Sequence, residues 1–421
     1  MFSKSEPLFC GLAHSSLSLS STGRVRPCCA IDSKVFGVVK TPKLTNENLA
    51  EVVNSEKMNK VRLQLKNGEW PEACRECYKK EKVGGTSLRK SWKSHFQNTT
   101  KILLNIDADG SLKKISEIDY LDLTFGNKCN LRCITCNPTC SSAWIKEAHE
   151  KGEYLDVTPQ SPFDWYSSDV LEQLVNSLPH LKTLNFVGGE PLINREHRFL
   201  LELLIEKKMS AQIHLSYVTN LTILDDELVD LWRQFKSVAL AVSVDGVGKI
   251  NDYIRYPSQW SAFQSNVEKL KKYTKTTNLY ISWCLTISVF NILSLNDLFR
   301  WMYNEYLDCP GEFNQKPGIF TPLPYMQRVF NPEIMNISIL PHELKERAQR
   351  EIQTLHKTLR SFELPSWETI SQVDILNEWL QENSKDQASR FERLLKDLEW
   401  TNHYRQIEVK DFIPWTKEYL K

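Results

Sequence analysis

The sequence predicts an α/β chain: a partial (β/α)6 barrel, open and parallel, with a small cysteine-rich module before it and a helical extension after it. Three observations carry this expectation. Strand-like and helical runs alternate between Tyr120 and Pro322, the pattern of a parallel sheet with crossover helices. Each chemistry-bearing stretch (Cys129 to Cys136, Gly188-Gly189-Glu190, Thr219-Asn220, Asp245-Gly246) follows a strand run, and ligands gather at that end of such strands. A second group of cysteines lies ahead of the barrel, and charged helical periodicity fills the stretch behind it.

At 421 residues the chain has room for two or three domains. Its 41% hydrophobic content, with 12 Trp and 14 Tyr, marks it as globular. Lysine plus arginine (53) nearly balances aspartate plus glutamate (52), so no global field favours nucleic acid or an anionic membrane. No apolar run approaches the ~18 residues of a membrane span. The first ten residues, interrupted by Glu6 and Pro7, lack the apolar core of a signal peptide. Eleven clustered cysteines fit metal binding in a reducing cytoplasm better than a secreted disulfide framework.

In chain order, residues 1–95 read as the cysteine-rich module. Ser16-Leu17-Ser18-Leu19-Ser20 alternates as a strand, Ser21-Thr22-Gly23 is a turn, and Arg24-Val25-Arg26 begins a returning strand. That hairpin brings Cys10 and Cys28 towards one end. A helix is predicted from Thr45, as N-cap, to Lys66, with Asn67-Gly68 as its stop. Cys74-x2-Cys77 follows and completes a four-thiolate set, for which spacing leaves zinc and iron-sulfur both open. Residues 96–116 are polar, with the turn signal Asp107-Ala108-Asp109-Gly110, and read as a linker containing a short hairpin.

The barrel is expected over 117–325. Strands are predicted at Tyr120–Phe125, Thr183–Val187, Gln212–Val218, Ser237–Val244, Leu279–Val289 and Gly318–Pro322. Helices are predicted at Asp169–Leu178, Arg195–Glu206, Asp225–Phe235, Ala262–Tyr273 and Ser294–Tyr303. Over 326–421, His342–Leu359 and Asp386–Leu398 read as charged helices that cap the barrel, anchored by Trp379, Trp400 and Trp415.

The organising stretch is Cys129-Asn130-Leu131-Arg132-Cys133-Ile134-Thr135-Cys136, a C-x3-C-x2-C loop after the first barrel strand. Structural zinc takes four protein ligands, whereas three thiolates on a 4Fe-4S cluster leave one iron open for chemistry. With Gly188-Gly189-Glu190-Pro191, Ser243-Val244-Asp245-Gly246 and Arg255 in that order, the chain resembles the radical S-adenosylmethionine (radical SAM) enzymes. The resemblance spans Tyr120 to about Phe290. One departure is Thr135, which stands where the family has an aromatic residue before its third cysteine.

The resemblance implies that Cys129, Cys133 and Cys136 hold the cluster. It implies that S-adenosylmethionine binds the open iron and is cleaved to a 5'-deoxyadenosyl radical. Gly188 and Gly189 let the backbone approach the cofactor amine, with Glu190 beside them. Asn220 and Ser243 would bond the ribose, and Arg255 the carboxylate. Cys10, Gly23, Cys28, Cys74 and Cys77 resemble the twitch or SPASM module, which holds an auxiliary 4Fe-4S cluster but usually follows the barrel. A peptide or protein substrate and a flavodoxin or ferredoxin as electron donor are implied. No acid or base is legible: Ile319-Phe320-Thr321 carries no carboxylate or histidine. Cys140, Cys284 and Cys309 read as buried inert thiols. The competing readings are a zinc-stabilised interaction protein and a radical SAM enzyme acting on RNA or a small metabolite.

Overall fold

A computed structural model of the chain describes residues 8–36, 44, 48–82, 87–93, 95–96, 98–157, 166–274, 278–307, 324–362, 368–382 and 386–420. The chain divides into two compact units. The first comprises Met1–Lys128, Gln160–Tyr217 and Asp230–Val238; the second comprises Cys129–Pro159, Val218–Val229 and Ala239–Lys421. The fold class is α/β, mostly parallel, consistent with the partial barrel read from the sequence.

In the first unit the strands β1 (Ser16–Leu19), β2 (Val25–Arg26), β3 (Tyr120–Thr124), β4 (Thr183–Val187) and β5 (His214–Thr219, whose last two residues pass into the second unit) take the order β2-β1-β3-β4-β5. The predicted hairpin forms: Leu19 faces Val25, and Gly23 turns the chain at φ +73, a conformation glycine adopts without a Cβ penalty. Its place was not legible in the sequence. β1 pairs in parallel with β3, Ser16 opposite Tyr120, so the cysteine hairpin extends the sheet. A polar rung explains the join. Asp122, 1% exposed, accepts bonds from Ser18 Oγ (2.8 Å) on β1 and Asn185 Nδ2 (2.7 Å) on β4. In a register where Ser18, Asp122 and Asn185 are successive partners, a buried carboxylate left unpaired by a slip would be costly.

The helix expected from Thr45 is two helices, Leu49–Val53 and Glu56–Lys66; Thr45 itself lies outside the described residues. Asn54 breaks it, because its side chain bonds the backbone of Leu112 in both directions (2.8 and 3.1 Å), the local competition that disfavours Asn inside helices. Within 96–116, Thr99–Leu104 is helical and Ile106 bridges Leu112. Arg62 is fully buried and bonds Ala13 O (3.3 Å), Val53 O (2.8 Å) and Asn59 Oδ1 (3.1 Å), tying both helices to the segment before β1.

In the second unit β6 (Ser237–Ser243, which enters from the first unit at Ala239), β7 (Leu279–Ile287) and β8 (Tyr325–Arg328) continue the barrel strands. β7 alternates buried and half-buried positions along its whole length, as one core-facing side demands. The strand predicted at Gly318–Pro322 lies outside the described residues, as does Cys309; the strand beside β7 is Tyr325–Arg328, with Cys284 opposite Tyr325. The C-terminal helices are His342–Ser361, Glu368–Gln381 and Gln387–Arg405. The first buries Leu344, Ala348, Ile352 and Leu355 along one stripe, each leucine contributing about 1.5–3 kcal/mol. Among the described residues no helix is long and apolar enough to cross a membrane.

Candidate cluster and cofactor site

The cysteine loop belongs to the second unit and is fastened from several sides. Leu131 and Ile134 are buried, and the amides of Arg132 and Ile134 donate to the carbonyls of Tyr256 (2.6 Å) and Ile254 (2.7 Å). Ser141 Oγ donates to Leu131 O (2.6 Å), and Trp144 Nε1 to Cys133 O (2.9 Å). These bonds immobilise the backbone and leave the Cys129, Cys133 and Cys136 side chains half-buried. Burial pushes the Cys133 thiol up to about 11, while the Arg255 charge pulls it down. Thiolates there need a neighbouring cation, and a metal cluster supplies one.

Cys140 corrects a sequence expectation. It is exposed, not buried, and accepts a hydrogen bond from Cys136 that lowers it to about 6. Cys284 is half-buried on β7, and Asp245 and Arg255 act on its thiol.

Arg255 is one cation beside the cysteine loop. Its guanidinium bonds Asp245 Oδ2 (2.8 Å) and feels the charges of Cys133 and Cys129. Asp245, 1% exposed, is held by the Thr286 amide on Oδ1 (2.8 Å), and its own amide donates to Asn251 Oδ1 (3.0 Å). In the sequence Asp245 is only part of a strand-end motif, with no signal that it fixes Arg255. Asn220 donates to Cys129 Sγ (3.9 Å) and Asn130 Oδ1 (3.0 Å), and its Oδ1 accepts from Thr222. Asn220 therefore sits on the cysteine loop. Ser243 is half-buried at the end of β6.

A further anchor comes from the C-terminal extension. Arg405 Nε bonds both oxygens of Glu147 (2.9 and 3.2 Å), and its NH2 donates to the Arg132 carbonyl (3.1 Å). Arg132 NH1 completes the group at 3.1 Å from Glu147. Tyr256 and Trp144 cover the Arg405 guanidinium at 4.7 and 4.9 Å. Glu147 and Arg405 are separated by 258 positions, and a sequence offers no signal for such a pair.

In the first unit, Gly188 and Gly189 follow β4 at φ +84 and +55. A Cβ on Gly189 would stand 2.2 Å from the carbonyl of Lys128, the residue before Cys129, and one on Gly188 would stand 2.1 Å from Thr124 Cγ2. Both glycines are thus required by close approach as well as by backbone conformation. Glu190 is buried, its amide donating to Lys128 O (2.8 Å) and its carboxylate accepting from the Leu192 amide (3.1 Å). Gly189→Ala is expected to cost roughly 1–3 kcal/mol of strain and to raise the KM for S-adenosylmethionine. Thermal unfolding and steady-state kinetics check it; an unchanged KM would remove the turn from the cofactor site.

The second thiol set also assembles. Cys10, Cys28, Cys74 and Cys77 line one cavity with Leu12, Val61, Leu65 and Arg89, although 64 positions separate Cys10 from Cys74. Burial pushes Cys10 up to about 11 and Cys74 to about 12, with the other thiols adding to it. Thiolates are the ordinary ligands of iron-sulfur clusters. The donor chemistry of both sets fits iron-sulfur.

Residues 123–286 match the Radical SAM superfamily, and residues 10–78 match the SPASM iron-sulfur cluster-binding domain. The chain thus carries a radical SAM domain and a SPASM domain. Its SPASM module precedes the barrel, and its cofactors are a 4Fe-4S cluster, S-adenosylmethionine and an auxiliary iron-sulfur cluster. Comparison with curated proteins gives no match. Among solved structures, the chain is similar to native anSMEcpe with bound AdoMet (17% identity, 56% of this chain and 58% of that one, TM-score 0.39). It is also similar to Streptococcus suis SuiB bound to S-adenosylmethionine (14%, 69% and 60%, TM-score 0.33). A third is TYW1 with a lysine-pyruvate adduct (12%, 56% and 71%, TM-score 0.28). The chain thus spans about 58% of the length of the anSMEcpe structure.

Proposed function

We propose that this enzyme cleaves S-adenosylmethionine reductively and abstracts hydrogen from a peptide or protein side chain. The observation that carries the substrate class is a cleft of about 680 Å3 in the second unit, lined by Ile134 and Cys136 of the cysteine loop and by Arg390, Arg393 and Asp397 of the C-terminal helix. Its volume suits several residues of an extended chain, and its walls offer charges of both signs for a polar backbone and side chains. The SPASM module, a companion of peptide-modifying enzymes in this family, supports the same reading.

On this proposal Cys129, Cys133 and Cys136 hold the cluster, and Cys10, Cys28, Cys74 and Cys77 hold the auxiliary one. The bound cluster and cofactor supply the electron and the carbon-centred radical. Gly188 and Gly189 present backbone to the methionyl amine, with Glu190 fixing the turn. Arg255, oriented by Asp245, offers its remaining N–H groups to the carboxylate. Ser243 and Asn220 are assigned to the ribose side, Asn220 also steadying Cys129. The module is assigned to 1–95, the linker to 96–116, the core to 117–325 and the extension to 326–421. A reducing cytoplasm suits ten described cysteines that form no disulfide, and a flavodoxin or ferredoxin is proposed as the electron donor.

The test is incubation of anaerobically prepared enzyme with side-chain-deuterated peptides. Deuterium is expected in 5'-deoxyadenosine. Transfer from a nucleoside or small metabolite, with none from any peptide, would overturn the substrate class and leave the radical chemistry standing.

A further inference from the structure

The four cysteines assigned to the auxiliary cluster come from three stretches of chain. Cys10 precedes the short helix Gly11–Ser15, Cys28 follows β2, and Cys74 and Cys77 lie at the entry to the helix Arg75–Lys82. Side chains that are not ligands hold these stretches together. Asp32 makes one joint: its amide donates to Ala73 O (2.9 Å) and its carboxylate pairs with Arg75, one on each side of Cys74. The Cys28 stretch is thereby fixed to the Cys74 stretch.

Arg89 makes the other joint. Its Nε donates to Glu81 Oε1 (2.9 Å), Nη2 reaches the second oxygen of the same carboxylate, and Nη1 donates to Phe9 O (2.7 Å). Phe9 adjoins Cys10. Glu81 stands four residues after Cys77 on the helix Arg75–Lys82, and that spacing puts both on one helix face. The Trp70 ring covers the guanidinium at 5.3 Å. The Arg89 and Glu81 side chains are only 16% and 10% exposed, so the planar fork is held in a partly dry place where its geometry counts.

The ion pair is also oriented. Among the described residues Arg89 is the one cation lining the cavity of the four thiols, and Glu81 is not part of that lining. Arg89 accordingly feels the charges of Cys10 and Cys77, while Glu81 lies behind it and also draws Lys90 Nζ (4.0 Å). A cluster on four thiolates is an anion that becomes more negative on reduction, and its potential follows nearby charge and hydrogen bonding. A dipole with its positive end towards the sulfurs favours the reduced form.

We infer that Arg89 is a positioning residue of the auxiliary site: it brackets the Cys10 and Cys77 stretches so that four thiolates meet one cluster, and its charge, held on the thiol side by Glu81, raises that cluster's reduction potential. The inference rests on the assignment of Cys10, Cys28, Cys74 and Cys77 to the auxiliary cluster.

The test uses the full chain carrying Cys129→Ala/Cys133→Ala/Cys136→Ala, loaded anaerobically with iron and sulfide, so that the auxiliary cluster alone is read. Iron release to an added chelator and the midpoint of a dithionite titration are measured. Arg89→Met is expected to speed release at least about tenfold, the scale of groups that support metal ligands, and to lower the midpoint. Arg89→Lys keeps the charge but has no fork to span Glu81 and Phe9; it should release iron nearly as fast yet keep a midpoint close to that of the background, and it reads the midpoint even where the methionine variant holds no iron. Glu81→Gln should raise the midpoint. Opposite shifts for Arg89→Met and Glu81→Gln are what mere loosening of the module would not produce. Background release and midpoint in Arg89→Met, or shifts of one sign in both variants, would overturn the role of Arg89 and leave the thiolate assignment standing. Iron absent from the background chain, or unmoved by Cys74→Ala, would overturn the thiolate assignment and the inference with it.

Discussion

Replacement of Cys129, Cys133 and Cys136 together by Ala is expected to abolish S-adenosylmethionine cleavage and to remove about four irons per chain, one 4Fe-4S cluster's worth. Three half-buried thiols fastened by backbone bonds on a single loop leave no substitute set of three thiols there among the described residues. Cys140, although hydrogen-bonded to Cys136, cannot replace three. The complementary change, Ala at Cys10, Cys28, Cys74 and Cys77, should remove the other cluster and destabilise the module, because metal binding and folding are linked. Iron and acid-labile sulfide analysis with 5'-deoxyadenosine assay reads both. Cleavage surviving the first substitution would show that the organising loop is not the radical centre.

Arg405→Ala is expected to destabilise the protein by about 3–5 kcal/mol, because among the described residues it leaves the fully buried carboxylate of Glu147 facing only Arg132. The same change unties the Arg132 carbonyl, so cluster retention should fall with stability even though residue 405 carries no ligand. Arg405→Met/Glu147→Leu should recover most of the stability, since it removes both charges and keeps the packing under Trp144 and Tyr256. Denaturant unfolding and iron content check the pair. If Arg405→Ala unfolds at the wild-type midpoint, the ion pair is not what holds the loop.

These two results divide along the line between what the sequence disclosed and what it withheld. The cysteine loop, the glycine turn and most barrel strands were legible because each rests on local spacing or local alternation. Thr183–Val187 and Arg195–Glu206 carry their own periodicity and fall where it puts them. The long helix expected from Thr45 was broken by Asn54, whose partner, Leu112, lies 58 positions away. In the sequence Asp122 alternates with Leu121 and Leu123, as a polar residue on the open side of a strand would. It is instead a buried rung, because a strand arriving from residues 16–19 covers it. Glu147 with Arg405, and Asp245 with Arg255, are likewise decided by tertiary neighbours, and an isolated Arg or Glu looks solvated until its partner is known.

The parallel pairing of β1 with β3 also acts as a ruler. Cys28 follows Pro27, whose carbonyl accepts from Ser16 Oγ (3.0 Å), so the hairpin thiols lie at the Ser16 end of the rungs, level with Thr183 on β4. Gly188 lies five residues further along β4, roughly 16 Å at the rise of a strand. A group held by Cys10, Cys28, Cys74 and Cys77 would therefore stand at the opposite end of the strands from the Gly188-Gly189 turn, and the hydrogen-bonded sheet between the two ends would keep that separation constant.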